Sequence, residues 1–131
     1  MKPKRRSSTT PVREQWRKEQ DACMLPGCKA SQRHGDTMEI HEIVGGADRA
    51  KALHLPALWL YLCHADHERF PSRPNQEQLV QELAIKLWAD AENYDLNAVM
   101  RLWRPNCTLA FVEEIRLAVK DEYLRIVRDY T

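Results

Sequence analysis

Cys23 and Cys28 bracket the tetrapeptide Met-Leu-Pro-Gly, and the run Cys63-His64-Ala65-Asp66-His67 follows later in the chain. A Pro-Gly pair makes a tight turn, so the two flanking cysteines can aim both sulfurs at one ion. A third thiol from the distant run would then tie that segment to the turn. Thiolates about 2.3 Å from a metal suit tetrahedral zinc. This cross-link constrains the middle third of the chain more than any other feature. The fourth cysteine, Cys107, lies outside the cluster at an expected helix start and reads as a buried thiol. With no apolar export segment, four cysteines favour metal binding over a disulfide framework.

Around that centre the chain divides into three parts. Residues 1–20 form a basic arm and a short helix, in which Thr10 caps and Pro11 opens a turn running to about Gln20. Residues 21–72 hold all four glycines, the cysteine cluster and the strand Met38-Glu39-Ile40-His41-Glu42-Ile43-Val44. Alternation along it puts Met38, Ile40 and Glu42 on one face, with Glu39, His41 and Ile43 on the other. Residues 73–131 read as helical. Asn75 with Gln78 resembles a capping box before the stripe Leu79, Leu83 and Leu87. Asp95 and Thr108 cap two further helices, the first stopped by Pro105. The expected fold class is α+β, a small metal-centred core with a mainly helical C-terminal region.

The formal charge of +1 conceals an asymmetry. Residues 1–18 carry seven basic side chains against Glu14, a net +6, and the remainder is −5. Lys2, Lys4, Arg5 and Arg6 head this arm, and a basic arm on a mildly acidic body suits contact with phosphates. Arg49 and Lys51, in the loop after Gly45-Gly46, can add to it. No apolar run approaches the roughly 20 residues a membrane span needs.

The stretches Cys23 to Cys28, Glu39-Ile40-His41-Glu42-Ile43-Val44 and Leu58-Trp59-Leu60-Tyr61-Leu62-Cys63-His64-Ala65-Asp66-His67 resemble the HNH endonuclease family, particularly its short phage-type members. The resemblance covers about residues 21–70. It implies a treble-clef, ββα-metal core with a structural zinc held by Cys23, Cys28 and Cys63. Asp66 stands where the family commonly has a fourth cysteine, and His64 is the rival fourth ligand. His41 and His67 correspond to the protein ligands of a catalytic divalent ion (Mg²⁺, Mn²⁺, Ni²⁺ or Zn²⁺). Glu42 stands at the position of the histidine that deprotonates the attacking water. Leu58 replaces the family's asparagine and offers no hydrogen-bonding group.

The function these features imply is metal-dependent cleavage or nicking of DNA by phosphodiester hydrolysis, with Glu42, His41 and His67 as the catalytic residues. Two alternatives follow from the departures at Glu42 and Leu58. One is a zinc-containing nucleic-acid-binding module with a decayed centre; the other is a protein adaptor built on the helices. The missing export segment and the phage-type resemblance together imply an intracellular, cytoplasmic protein acting on DNA and not on membranes.

Overall fold

The computed structural model describes residues 11–44, 54–71 and 73–131. The fold is α+β. Helix α1 (Pro11–Lys18) precedes strand β1 (Met38–Glu42), which pairs antiparallel with β2 (Trp59–Cys63). Short helix α2 (His64–His67) follows β2 directly. Helices α3 (Gln76–Ala89), α4 (Leu96–Trp103) and α5 (Leu109–Tyr130) complete the chain. Among the described residues no helix is long and apolar enough to cross a membrane.

The register of the hairpin positions everything else. Met38 faces Cys63, Ile40 faces Tyr61 and Glu42 faces Trp59, so these six share one face of the sheet. Glu39, His41, Leu60 and Leu62 share the other. An isolated two-stranded ribbon is marginal in water, and here both faces are covered. Every residue of β2 is buried. On the first face lies α1, whose Trp16 ring packs edge-on against Trp59 and Tyr61 at 5.4 and 6.3 Å between centroids. On the second lie Phe70 and α3. The strand ends at Glu42, earlier than the apolar run suggests, yet Ile43 still donates to the Leu58 carbonyl at 2.7 Å. Helix α1 likewise stops at Lys18, and the amides of Glu19 and Gln20 tighten onto carbonyls three residues back.

The helical region begins as its capping residues dictate. Gln78 N–H donates to Asn75 Oδ1 while the Asn75 amide donates to Gln78 Oε1, a complete capping box. Asp95 accepts from Ala98 N–H and Thr108 from Phe111 N–H at the next two starts. Helices α3 and α5 pack along each other, and Leu79, Leu83, Ala84, Ile115, Val119 and Ile126 all belong to one hydrophobic core.

One buried cation ties the layers together. Lys86 on α3 is fully buried, and its ammonium donates to the carbonyls of Pro56 and Trp59 and to Asp90 at 2.7–2.8 Å. All three ammonium protons therefore have acceptors. Trp16 covers the group at 5.0 Å and donates its indole N–H to Asp90, which joins α1 to the end of α3. Burial pulls the Lys86 ammonium below its ordinary pKa, and Asp90 opposes that shift. Lys86→Met should cost about 3–5 kcal/mol, because it takes the buried cation away from Asp90 and from the Pro56 and Trp59 carbonyls. Urea denaturation measures it; a loss below about 1 kcal/mol would mean that water replaces the ammonium.

Candidate functional site

The turn anticipated at Pro26-Gly27 is present. Cys28 N–H donates to the Leu25 carbonyl at 3.0 Å, and Gly27 has φ +86°, as a type II turn requires at its third position. A Cβ there would also crowd the Tyr130 ring, at 3.1 Å. The turn is anchored to the sheet by Met24 N–H, which donates to the Tyr61 carbonyl. Cys63 ends β2 in extended conformation and leads straight into α2.

These elements bring Cys23, Cys28, Cys63 and Asp66 together, each offering a ligand atom within 4.8 Å of the others. Four donors around one tetrahedral zinc, with sulfur about 2.3 Å from the metal, need separations of this order. Cys23, Cys63 and Asp66 are buried and Cys28 is half-buried. The Cys23 thiol donates to Asp66 Oδ2 at 3.2 Å and accepts from Cys63 N–H. Burial pushes the Cys23 and Cys28 thiols above their ordinary pKa. Burial would also raise Asp66, but hydrogen bonds from the three cysteines and Arg69 hold it below the usual carboxylate value. Three thiols and a carboxylate in one buried volume suit a metal ion such as zinc. His64, the rival ligand, is outside the group. Its imidazole is 56% exposed and lies against Glu39 and Glu68. Helical spacing explains the choice, since Asp66 is one turn from Cys63 and His64 is not.

The opposite face of the hairpin carries a second set of polar residues. His41 on β1 and His67 on α2 face each other edge-on, with 5.2 Å between ring centroids. Each imidazole has a carboxylate at one nitrogen. His67 Nδ1 is 2.5 Å from Glu39 Oε1, and His41 Nε2 is 2.8 Å from Glu82 Oε1. Glu39 also meets His64 Nδ1 at 2.8 Å. The hydrogen bond with His67, aided by His64 and opposed by burial, holds the Glu39 carboxyl below its ordinary pKa. Burial raises that of Glu82, against the pull of His41. Around these imidazoles no three ligand atoms converge as they do in the cysteine cluster, the one such group among the described residues.

Glu42 is not brought to this pair. It shares the Trp59 face and forms a buried ion pair with Arg13 at 2.9 Å, beneath which the Arg13 guanidinium lies over the Trp59 ring. Leu58 is fully buried in a 3-10 turn (Pro56–Leu58) as part of the core. Lys2, Lys4, Arg5, Arg6, Arg49 and Lys51 lie outside the described residues. Sequence reasoning passed over Glu39, Glu82 and Arg13. Glu39 was visible as the same-face neighbour of His41. Glu82 had a weaker signal, a charge three residues from Leu79 on the apolar side of a helix.

No family model, curated protein or solved structure matches this chain.

The cluster makes a direct prediction. Elemental analysis should find one zinc per chain held by the cysteines, retained in His64→Ala and lost in Cys63→Ser. Losing it should cost about 3 kcal/mol or more, a fall in Tm of about 10 °C. Since burial raises the Cys23 and Cys28 thiols and zinc takes thiolates, binding must displace protons, and zinc affinity should rise with pH. Zinc lost from His64→Ala but kept in Cys63→Ser would refute the assignment.

Proposed function

We propose that this chain is a metal-dependent endonuclease or nickase of HNH type acting on DNA, with the zinc cluster as scaffold and the His41–His67 pair as the second ion site. The observation that carries the reading is the paired imidazoles, each with one nitrogen against a carboxylate. Imidazoles that ligate metals commonly donate their other N–H to a carboxylate, which sets the tautomer and strengthens the ligating nitrogen. The hairpin followed immediately by a helix, clamped at Cys63 and Asp66, supports it further, because it is a ββα arrangement with a histidine on the strand and another on the helix.

A divalent ion there would supply positive charge beside a phosphodiester as negative charge develops on its oxygens. Two protein ligands leave room around that ion for a substrate oxygen. Glu39 orients His67 from the partly exposed side, while Phe70, 5.4 Å from His41 between ring centroids, keeps water from its inner side. Glu42 is held by Arg13 on the Trp59 face, away from the two imidazoles.

A second reading is a nucleic-acid-binding module without cleavage. The Arg13–Glu42 pair and the apolar Leu58 favour it. Incubation with supercoiled plasmid across Mg²⁺, Mn²⁺, Ni²⁺ and Zn²⁺ separates the two. The nuclease reading expects nicking with at least one ion and a loss of about 100-fold or more in His67→Ala with zinc content unchanged. Glu42→Gln should nick as slowly if Glu42 is the base and normally if it serves only Arg13. No nicking of plasmid or single strands by the wild type leaves the binding module.

Both readings give the basic arm the same task. Removing residues 2–9 deletes Lys2, Lys4, Arg5 and Arg6, which should flatten the plot of log affinity against log salt by up to about 3.6 units, at about 0.9 per phosphate contact. An unchanged slope would make the arm a solubilising tail.

A further inference from the structure

The carboxylates of Glu39 and Glu82 are not equivalent. Glu39 belongs to the hairpin and reaches solvent, whereas Glu82 comes from the middle of α3 and is fully buried, with its His41 partner 3% exposed. Glu82 Oε1 meets His41 Nε2, and Glu82 Oε2 has no hydrogen-bond partner among the described residues. A carboxylate in the core is expensive to desolvate, and an unsatisfied oxygen adds to the expense. Lys86, one turn further along the same helix, shows what a completed structural pair looks like there: every ammonium proton has an acceptor. Glu82 is satisfied only towards His41. An apolar side chain would fill that part of the core without leaving an orphaned oxygen, so its presence calls for a role centred on the imidazole.

We infer that Glu82 is a positioning residue for the His41–His67 ion site, holding His41 in the tautomer with its proton on Nε2 so that Nδ1 offers its lone pair to the ion. This rests on the reading of those histidines as ion ligands. While Glu82 is ionised it can only accept, and the proton in the 2.8 Å contact then sits on His41 Nε2. The result mirrors the other half of the site. Glu39 takes the Nδ1 side of His67 and leaves Nε2; Glu82 takes the Nε2 side of His41 and leaves Nδ1. Helix α3 suits this task because its first turn is closed by the capping box and its Leu79 and Leu83 are locked in the core. The ion site therefore draws on the helical region, where the sequence carries no recognisable motif.

The test uses the full-length, zinc-loaded protein. Nitrogen-15 NMR of the imidazoles should show His41 protonated at Nε2 in the wild type before any second ion is added. Mn²⁺, a hard ion with little tendency to displace zinc from thiolates, then probes the second site by electron paramagnetic resonance. Glu82→Ala should weaken Mn²⁺ binding about 10- to 100-fold, the usual effect of removing a carboxylate behind a ligating histidine. Zinc should stay at one per chain. Glu82→Gln keeps an acceptor oxygen and should recover most of the affinity; it also serves if the alanine variant does not fold. His41 protonated at Nδ1 would overturn the inference, as would wild-type Mn²⁺ affinity in a folded alanine variant. A glutamine variant as weak as alanine would overturn it too, making Glu82 itself a ligand. These three results leave the nuclease reading standing. A wild type that binds no second ion, whether Mn²⁺ or Ni²⁺, overturns both.

Discussion

Three thiols and a carboxylate, all but Cys28 buried, are drawn into one small volume and hold the centre of this protein together. Cys23 and Cys28 come from the turn after α1, and Cys63 and Asp66 from the junction of β2 and α2. A two-stranded ribbon cannot hold a helix at its end by its own ten residues. The cluster does so by joining the N-terminal turn to that end, and a metal ion there would contribute to folding free energy directly. Because Asp66 belongs to the cluster, the adjacent His67 is carried round the helix towards β1 and His41. The placing of His67 against His41 follows from the geometry of the cluster.

The hairpin separates two kinds of polar burial. On the α1 face, Arg13 and Glu42 are paired beside Trp59, and close by Lys86, Asp90 and the Trp16 indole complete one another. Such pairs return little net stability but are costly to break, so they fix how α1, the sheet and α3 sit relative to one another. On the α3 face, His41 and Glu82 are buried with an oxygen left over. The first face has its polar groups paired; on the second, Glu82 Oε2 is left without a partner among the described residues.

That contrast bears on Glu42. In an extended strand, neighbouring side chains point to opposite faces, so His41 and Glu42 can share a site only where the backbone bulges or twists. The register through β1 is regular from Met38 to Glu42, and Arg13 stands ready on the far side. Glu42 is thereby held in a buried ion pair on the far face of the sheet. His41 and His67 lie on the other side, beside α2 and Phe70, each with a carboxylate at one nitrogen and the other nitrogen outside that contact.

Much of the local structure was legible in the sequence because its causes are local. The Leu-Pro-Gly-Cys turn, the caps at Asn75, Asp95 and Thr108, and the alternation that sets His41 apart from Glu42 depend on residues within four positions of one another. The gathering of Cys23, Cys28 and Cys63 was also legible, because few residue types bind a soft ion and their spacing was telling. Partner choice was not. Whether Asp66 or His64 joins the thiols depends on where the first turn of α2 starts. That Glu42 meets Arg13 depends on α1 docking against the Trp59 face. That His41 meets Glu82 depends on α3 crossing the other face in one rotational setting. Alternation and helical period say which side a residue occupies; only the packing of distant elements decides what waits there, because burial of the whole apolar surface, not any local preference, selects that arrangement.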